Sequence, residues 1–237
     1  MKLLNDIIKA HGGINRWNQF VKIEAEIVSG GKLFELKGLP QDSSPRQMNV
    51  WLHEQRASVY PFGAPDQKSD FSPRRVAIEK FDGKVVAERT GNPIEHHEHL
   101  KAPKWDPLDR AYFNGYALWI YLTTPFFMLF PGLKIREIEP LQEDGETWRG
   151  LSITFPSYFA THSAVQNFYF GSDNLIRRHD YHVDAGNFYA AQYISDLIDV
   201  QGILVPSKRR AYKKDFDGNI LSDELMVKID LSNFRLS

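Results

Sequence analysis

Residues 108–130 read LDRAYFNGYALWIYLTTPFFMLF. Asp106-Pro107, just ahead of them, makes a helix entry: an Asp at the cap and a Pro at the first helical position, where no backbone donor is missed. A helix is therefore expected from about Leu108 to Leu122. It should break before Pro125, whose ring cannot continue a helix. Tyr112, Phe113, Tyr116, Trp119 and Tyr121 fall on nearly every side of it. A helix that is apolar all round is normally buried. The most apolar run, Ala117 to Phe130, has 14 residues with Pro125 inside it. A membrane span needs about 20, so no transmembrane segment is expected and the run belongs to a core or an interface.

On both sides of this helix the apolar period becomes two. Val21, Ile23, Ala25 and Ile27 alternate with Lys22, Glu24 and Glu26, the pattern of a half-buried strand. Gly30-Gly31 turns the chain and Leu33 to Lys37 runs back. Val76–Ile78 and Val85–Arg89 read as a hairpin about Asp82-Gly83, and Val165–Phe170 and Leu175–Val183 as another about Gly171–Asn174. Tyr193–Val200 and Ile203–Tyr212 are split by Gln201-Gly202, and a turn is expected at Asp144-Gly145. Residues 2–11 form an amphipathic helix ended by Gly12-Gly13, with a further turn carrying Trp17 and Phe20. Helices are thus expected at about 2–19 and 108–122. Segments 38–46, 61–74 and the polar stretch 91–107 read as loops. The expectation is one domain over residues 1–237, α+β and mainly β. Roughly eleven antiparallel strands would curl around the greasy helix, since curling spares a large sheet from exposing one whole apolar face.

Composition narrows the chemistry. The chain has 237 residues, 29 basic and 30 acidic, for a formal charge of -1. That balance excludes a general nucleic-acid binder, which needs a basic excess. The absence of cysteine excludes thiolate metal sites, disulfide scaffolds and cysteine nucleophiles. The 16 Phe, 10 Tyr and 5 Trp stand against a hydrophobic total of only 42%. The N-terminus, interrupted by Lys2, Asp6 and Lys9, lacks the apolar run of a secretory signal. A cytoplasmic location is expected on that pattern, or a periplasmic one for a trimmed mature chain.

AHGGINRWN (Ala10–Asn18), FNGYALWIYLTTPFFML (Phe113–Leu129), FYFGSDNLIRRHDYHVD (Phe168–Asp184) and QGILVPSKRRAY (Gln201–Tyr212) resemble a family of uncharacterised bacterial proteins similar to the LolA/LolB superfamily of lipoprotein carriers. The resemblance implies a LolA-like unclosed antiparallel β half-barrel of about eleven strands, with helices over its concave face. In the carriers that concavity is apolar and holds acyl chains. The resemblance brings no catalytic residue with it.

Four groups are candidate sites. Tyr116, Trp119, Tyr121, Phe126, Phe127, Met128 and Phe130, with Phe168 and Phe170, either line a pocket for a lipid-like small molecule or simply fill the barrel. Glu95-His96-His97-Glu98-His99 offers imidazole and carboxylate but not the HExxH spacing, so it reads as a solvated loop; no metal or cofactor is expected. His179, Asp180, His182 and Asp184 lie on a strand. His179 shares a face with Tyr181, and Asp180, His182 and Asp184 share the other. Lys208, Arg209, Arg210, Lys213 and Lys214 read as a solvated hairpin end beside Asp215 and Asp217. No GxSxG, Walker or GxGxxG motif is present. Three functions are carried forward: non-enzymatic carriage of an apolar ligand, a hydrolase or isomerase using His179, Asp180 and His182, and an interaction module with a filled core. Oligomeric state is left open.

Overall fold

Alternation does what it should in β1 (Lys22–Gly30), where Ile23, Ala25 and Ile27 are buried and Lys22, Glu24 and Glu26 are half-buried. The computed structural model describes residues 1–40, 43–143 and 145–237. From β1 the chain meanders outward through β2 (Arg46–Trp51), β3 (Ala57–Tyr60), β4 (Gln67–Ser72), β5 (Arg75–Lys80) and β6 (Val85–Thr90). A second meander runs through β7 (Lys134–Glu143), β8 (Glu146–Thr154), β9 (Val165–Phe170), β10 (Ile176–Val183), β11 (Phe188–Val200), β12 (Ile203–Lys214) and β13 (Ile220–Leu236). β13 pairs with β1 and joins the two meanders in the middle of one antiparallel sheet, ordered 6-5-4-3-2-1-13-12-11-10-9-8-7. β6 and β7 are its two free edges, so the half-barrel is unclosed.

The chain between those edges crosses the concave face. It carries α4 (Pro93–Leu100), α5 (Pro107–Thr123) and a 3-10 turn (Phe126–Leu129). Asp106 caps α5 in a reciprocal capping box with Asp109, and Pro107 occupies the first turn. The helix lies along β2 to β6. It approaches β4 so closely that a Cβ on Gly115 would run into the Phe71 side chain. α1 (Lys2–Ala10) buries Leu3, Leu4, Ile7 and Ile8. His11, at its end, is fully buried, with Nδ1 2.9 Å from the Ile7 carbonyl. Burial pulls its pKa down to about 4. None of the described helices is long and apolar enough to cross a membrane.

Five expectations are corrected. The described strands number thirteen, not about eleven. The loop expected at 61–74 contains β4, paired along its length with β5. Leu33–Lys37 is not a returning strand: α3 (Lys32–Leu36) stands there and buries Leu33 and Phe34. Gly31, at φ 110°, packs against the Met226 backbone and steers the chain off the sheet. The two N-terminal pieces stand as expected, as α1 and α2 (Ile14–Trp17), but the second ends at Trp17, short of residue 19, and leaves Phe20 outside it. Residues 93–100 are not a solvated loop. They are α4, with a capping box between Asn92 and Glu95. The turn expected at Asp144-Gly145 includes Asp144, which lies outside the described residues, as do residues 41–42 of the 38–46 loop.

Candidate functional site

α5 does not pack equally on all sides. Arg110, Phe113, Asn114, Ala117, Leu118 and Tyr121 fall at the i, i+3, i+4, i+7, i+8, i+11 positions of one stripe. All six line a narrow slot between the helix and the sheet. Its other wall is Phe34 of α3, Ile27 and Ser29 of β1, Arg46 of β2, Val59 and Phe62, and Val227 and Ile229 of β13. The free volume is about 20 Å³, room for about one water and not for a chain of carbons. This slot is therefore closed as it stands.

The aromatic residues picked out by sequence are placed as follows. Tyr116, Trp119, Tyr121, Phe126, Phe127, Phe168 and Phe170 are buried, and Phe130 is half-buried against them. Phe126 stacks on Trp17 at 4.1 Å and Phe127 on Phe155 at 5.6 Å. The Trp119 indole N–H donates to the Trp51 carbonyl at 2.9 Å. Phe168 stacks on His179 at 4.0 Å, and His11 meets the Phe170 ring edge-on. Only Tyr121 of this set borders the slot.

Beneath the end of α5 lies a polar cluster that sequence reasoning missed. Arg209 of β12 is 1% exposed. It donates to Gln192 Oε1 at 2.9 Å and to the Tyr121 carbonyl at 2.5 Å, and its guanidinium lies 4.6 Å from the Tyr121 ring centre. Burial draws its pKa down to about 10, leaving it a cation at neutral pH. Among the described residues no carboxylate pairs with it; the negative end of the α5 dipole stands in for one. From Gln192 a chain of bonds leads through Tyr181 and Tyr121 to His162, at 3.4, 3.1 and 3.0 Å. Desolvation lowers His162 to about 3, so the ring is neutral where its Nε2 meets the Tyr121 hydroxyl. His179 Nε2 stands 2.7 Å from Gln166 Oε1 and therefore donates. Burial also drives its pKa well below the usual range. The solvated reading of the basic group is thus corrected at Arg209. Its neighbours do face outward: Lys208 pairs with Asp196 and Arg210 with Asp230.

A register shift between Ile176 and Arg178 re-phases β10 and points His179, Tyr181 and Val183 inward together. His179 and Asp180 face opposite ways. Asp180 is held by Arg178 at 2.6 and 2.8 Å and by Lys214 at 3.1 Å. His182 pairs instead with Asp184 at 2.6 Å. The structure does not bring His179, Asp180 and His182 into one constellation. On α4, His96 is buried and stacks on Tyr112 at 4.2 Å, while His97 stacks on Tyr116 at 5.7 Å. Burial lowers both. Among the described residues no group of three or more His, Asp or Glu is arranged to hold a metal.

Comparison of the sequence with protein-family models and with curated proteins finds no match. Solved structures do match over the whole chain. A LolA superfamily protein from Nitrosomonas europaea is 13% identical over 98% of this chain and 92% of that one, with a TM-score of 0.55. A putative outer membrane lipoprotein-sorting protein domain from Vibrio parahaemolyticus is 6% identical over 100% and 91%, also with a TM-score of 0.55. The fold is LolA-like. At these identities the likeness is one of architecture, and it accounts for the free edges at β6 and β7 and for helices lying over the concavity of a LolA-like half-barrel.

Proposed function

We propose that this protein binds and carries an apolar, lipid-like molecule on the concave face, and that the present structure is the closed form. The observation that carries this reading is the continuous α5 stripe, Arg110 to Tyr121, every member of which borders the slot between helix and sheet. Ligand entry needs α5 to move away from the sheet. The Arg209 bond to the Tyr121 carbonyl is the clasp that would have to yield. In the opened form Tyr116, Trp119 and Tyr121 travel with the helix, and Phe126, Phe127 and Phe130 with its tail. Phe168 and Phe170 stay on the sheet, so these eight residues line the vacated space. A structure of similar fold is a putative outer membrane lipoprotein-sorting protein domain, which supports an apolar cargo.

The test is native mass spectrometry of protein purified without detergent, before and after incubation with a fluorescent fatty acid. Carriage predicts a ligand-bound mass and a 1:1 adduct with the probe. The small free volume favours one rival, a filled core that holds nothing. A clean apo mass with no adduct selects that rival.

A further inference from the structure

A second opening lies against α4. Ile94, His97, Glu98 and Lys101 fall at the i, i+3, i+4 and i+7 positions of one stripe along that helix and its cap. The stripe faces the connection between β8 and β9, residues 155–164, across a cleft of about 260 Å³ that is open to solvent. That is the space of about nine waters at ~30 Å³ each, near the ~300 Å³ at which small-molecule sites begin. The cleft shares no lining residue with the slot along α5. Its floor is apolar. Phe155 and Phe159 lie 5.8 Å apart and back onto Phe127 and Trp119 at 5.6 and 6.1 Å, so the core behind them fixes both rings. Ile94, 60% exposed, lines the same cleft from α4. The polar side offers acceptors. Asp184 gives Oδ1 to His182 at 2.6 Å and has no partner for Oδ2 among the described residues. His97 is half-buried with its ring stacked on Tyr116, and no hydrogen bond among the described residues engages either nitrogen. Burial keeps that ring neutral at pH 7, so one nitrogen carries a free lone pair. Among the described residues of the lining the single cation, Lys101, is held by Glu98 at 2.6 Å. Lys37, in the adjoining hollow, donates to the Leu100 and Ala102 carbonyls. The Asp184 carboxylate, with only an imidazole bonded to it, is left as the excess charge of the cleft.

We propose that this cleft binds a small organic cation: a primary ammonium on an aromatic or compact apolar body of roughly nine non-hydrogen atoms. The body lies between Ile94 and the Phe155 and Phe159 rings, and the ammonium donates to Asp184 Oδ2 and to the free nitrogen of His97. A hydrogen bond between an ammonium and a carboxylate is roughly twice as strong as a neutral one, so charge selects the polar end. An anionic end would meet the Asp184 carboxylate with like charge. The fixed rings of the floor set the shape of the body, since aromatic faces and edges pack best against another ring. The site stands apart from carriage: its floor belongs to the β8–β9 connection, and occupying it needs no movement of α5.

The experiment is isothermal titration calorimetry with 2-phenylethylamine, 2-phenylethanol, phenylacetate and ethylamine, the last a cation without a ring. The wild-type protein should bind phenylethylamine saturably and 1:1, with a Kd of about 1 mM or tighter, which is within reach of a ligand this small. It should bind the amine about tenfold more tightly than the alcohol, and phenylacetate and ethylamine more weakly still. In Asp184→Asn the amine-to-alcohol ratio should fall toward one. Ala164 lines the cleft at an exposed position, so Ala164→Phe should fill it and remove binding, and this variant keeps the test standing if Asp184→Asn does not fold. Circular dichroism checks both chains. Equal or tighter binding of the alcohol or of phenylacetate overturns the proposal, because charge then does not select the ligand. Ethylamine binding as tightly as phenylethylamine overturns it by showing a charge site without an apolar floor. Unchanged phenylethylamine binding by folded Ala164→Phe overturns it by placing the ligand elsewhere. No saturable binding of phenylethylamine by the wild-type protein overturns it outright and leaves carriage standing.

Discussion

Arg209 is the residue on which the closed state turns. A cation with no buried carboxylate beside it is tolerated because Gln192 and the last-turn carbonyl of α5 face it. Replacing it with Met keeps the volume and removes both bonds, stranding Gln192 Oε1 and the Tyr121 carbonyl. Arg209→Met should cost about 2–3 kcal/mol, since each orphaned buried acceptor loses about 1 or more, read from urea unfolding. It should also speed uptake of a fluorescent fatty acid if the clasp limits opening. Unchanged stability would show that Arg209 does not hold the helix. Strand alternation puts Arg209 on the face opposite Lys208 and Arg210, yet nothing local in the sequence signals its burial. The partners that accept its hydrogen bonds come from β11 and from a helix 88 residues earlier. His179 is a similar case: alternation grouped it with Tyr181, but only the bulge at Arg178 puts both inside.

At the scale of elements, α5 was legible almost to the residue, because Asp106-Pro107 and Pro125 mark its ends and its middle is apolar throughout. α4 was not. Its capping box, Asn92 with Glu95, is present in the sequence, but the run of three histidines between two prolines looked solvated. What makes it a helix is tertiary: His96 and His97 lie on the Tyr112 and Tyr116 rings of α5. α3, at five residues, is too short for periodicity to distinguish from a strand. Gly115 tests how tightly α5 is seated. In an isolated helix Gly→Ala would be favourable by about 1 kcal/mol. Here the added Cβ meets Phe71 of β4, and overpacking costs about 1–3 kcal/mol. Gly115→Ala should therefore lower the melting temperature, and Phe71→Leu in the same chain should recover part of the loss. A higher melting temperature for Gly115→Ala would show that the contact can relax.

Across the whole molecule, the half-barrel keeps several imidazoles neutral in its interior. His11 falls to about 4 and His162 to about 3 because burial penalises the charged ring, and His179 falls for the same reason. In the unfolded chain each titrates near 6.5. The unfolded state therefore binds more protons below that pH, and stability must drop as pH falls from about 6.5 toward the folded values. His11 alone should remove about 2 kcal/mol between pH 7 and pH 5. The urea midpoint should decline over that interval, and His11→Asn should flatten the decline. A midpoint constant from pH 7 to pH 5 would contradict the burial of these rings. The sheet itself was legible from alternation, and its unclosed form from resemblance. Pairing of β1 with β13 was not, because no local pattern says that the first and last strands meet.

The central claim is that a ligand chain occupies the slot along α5, and Ala117 is the smallest side chain on that stripe. The direct measurement is saturable binding of a fluorescent fatty acid to detergent-free protein, compared between the wild-type chain and Ala117→Leu, with circular dichroism confirming that both are folded. The account predicts 1:1 binding by the wild-type protein and at least about tenfold weaker binding by the variant, the loss expected when side-chain atoms fill the ligand's path. No saturable binding by the folded wild-type protein, or equal binding by the two, would contradict it.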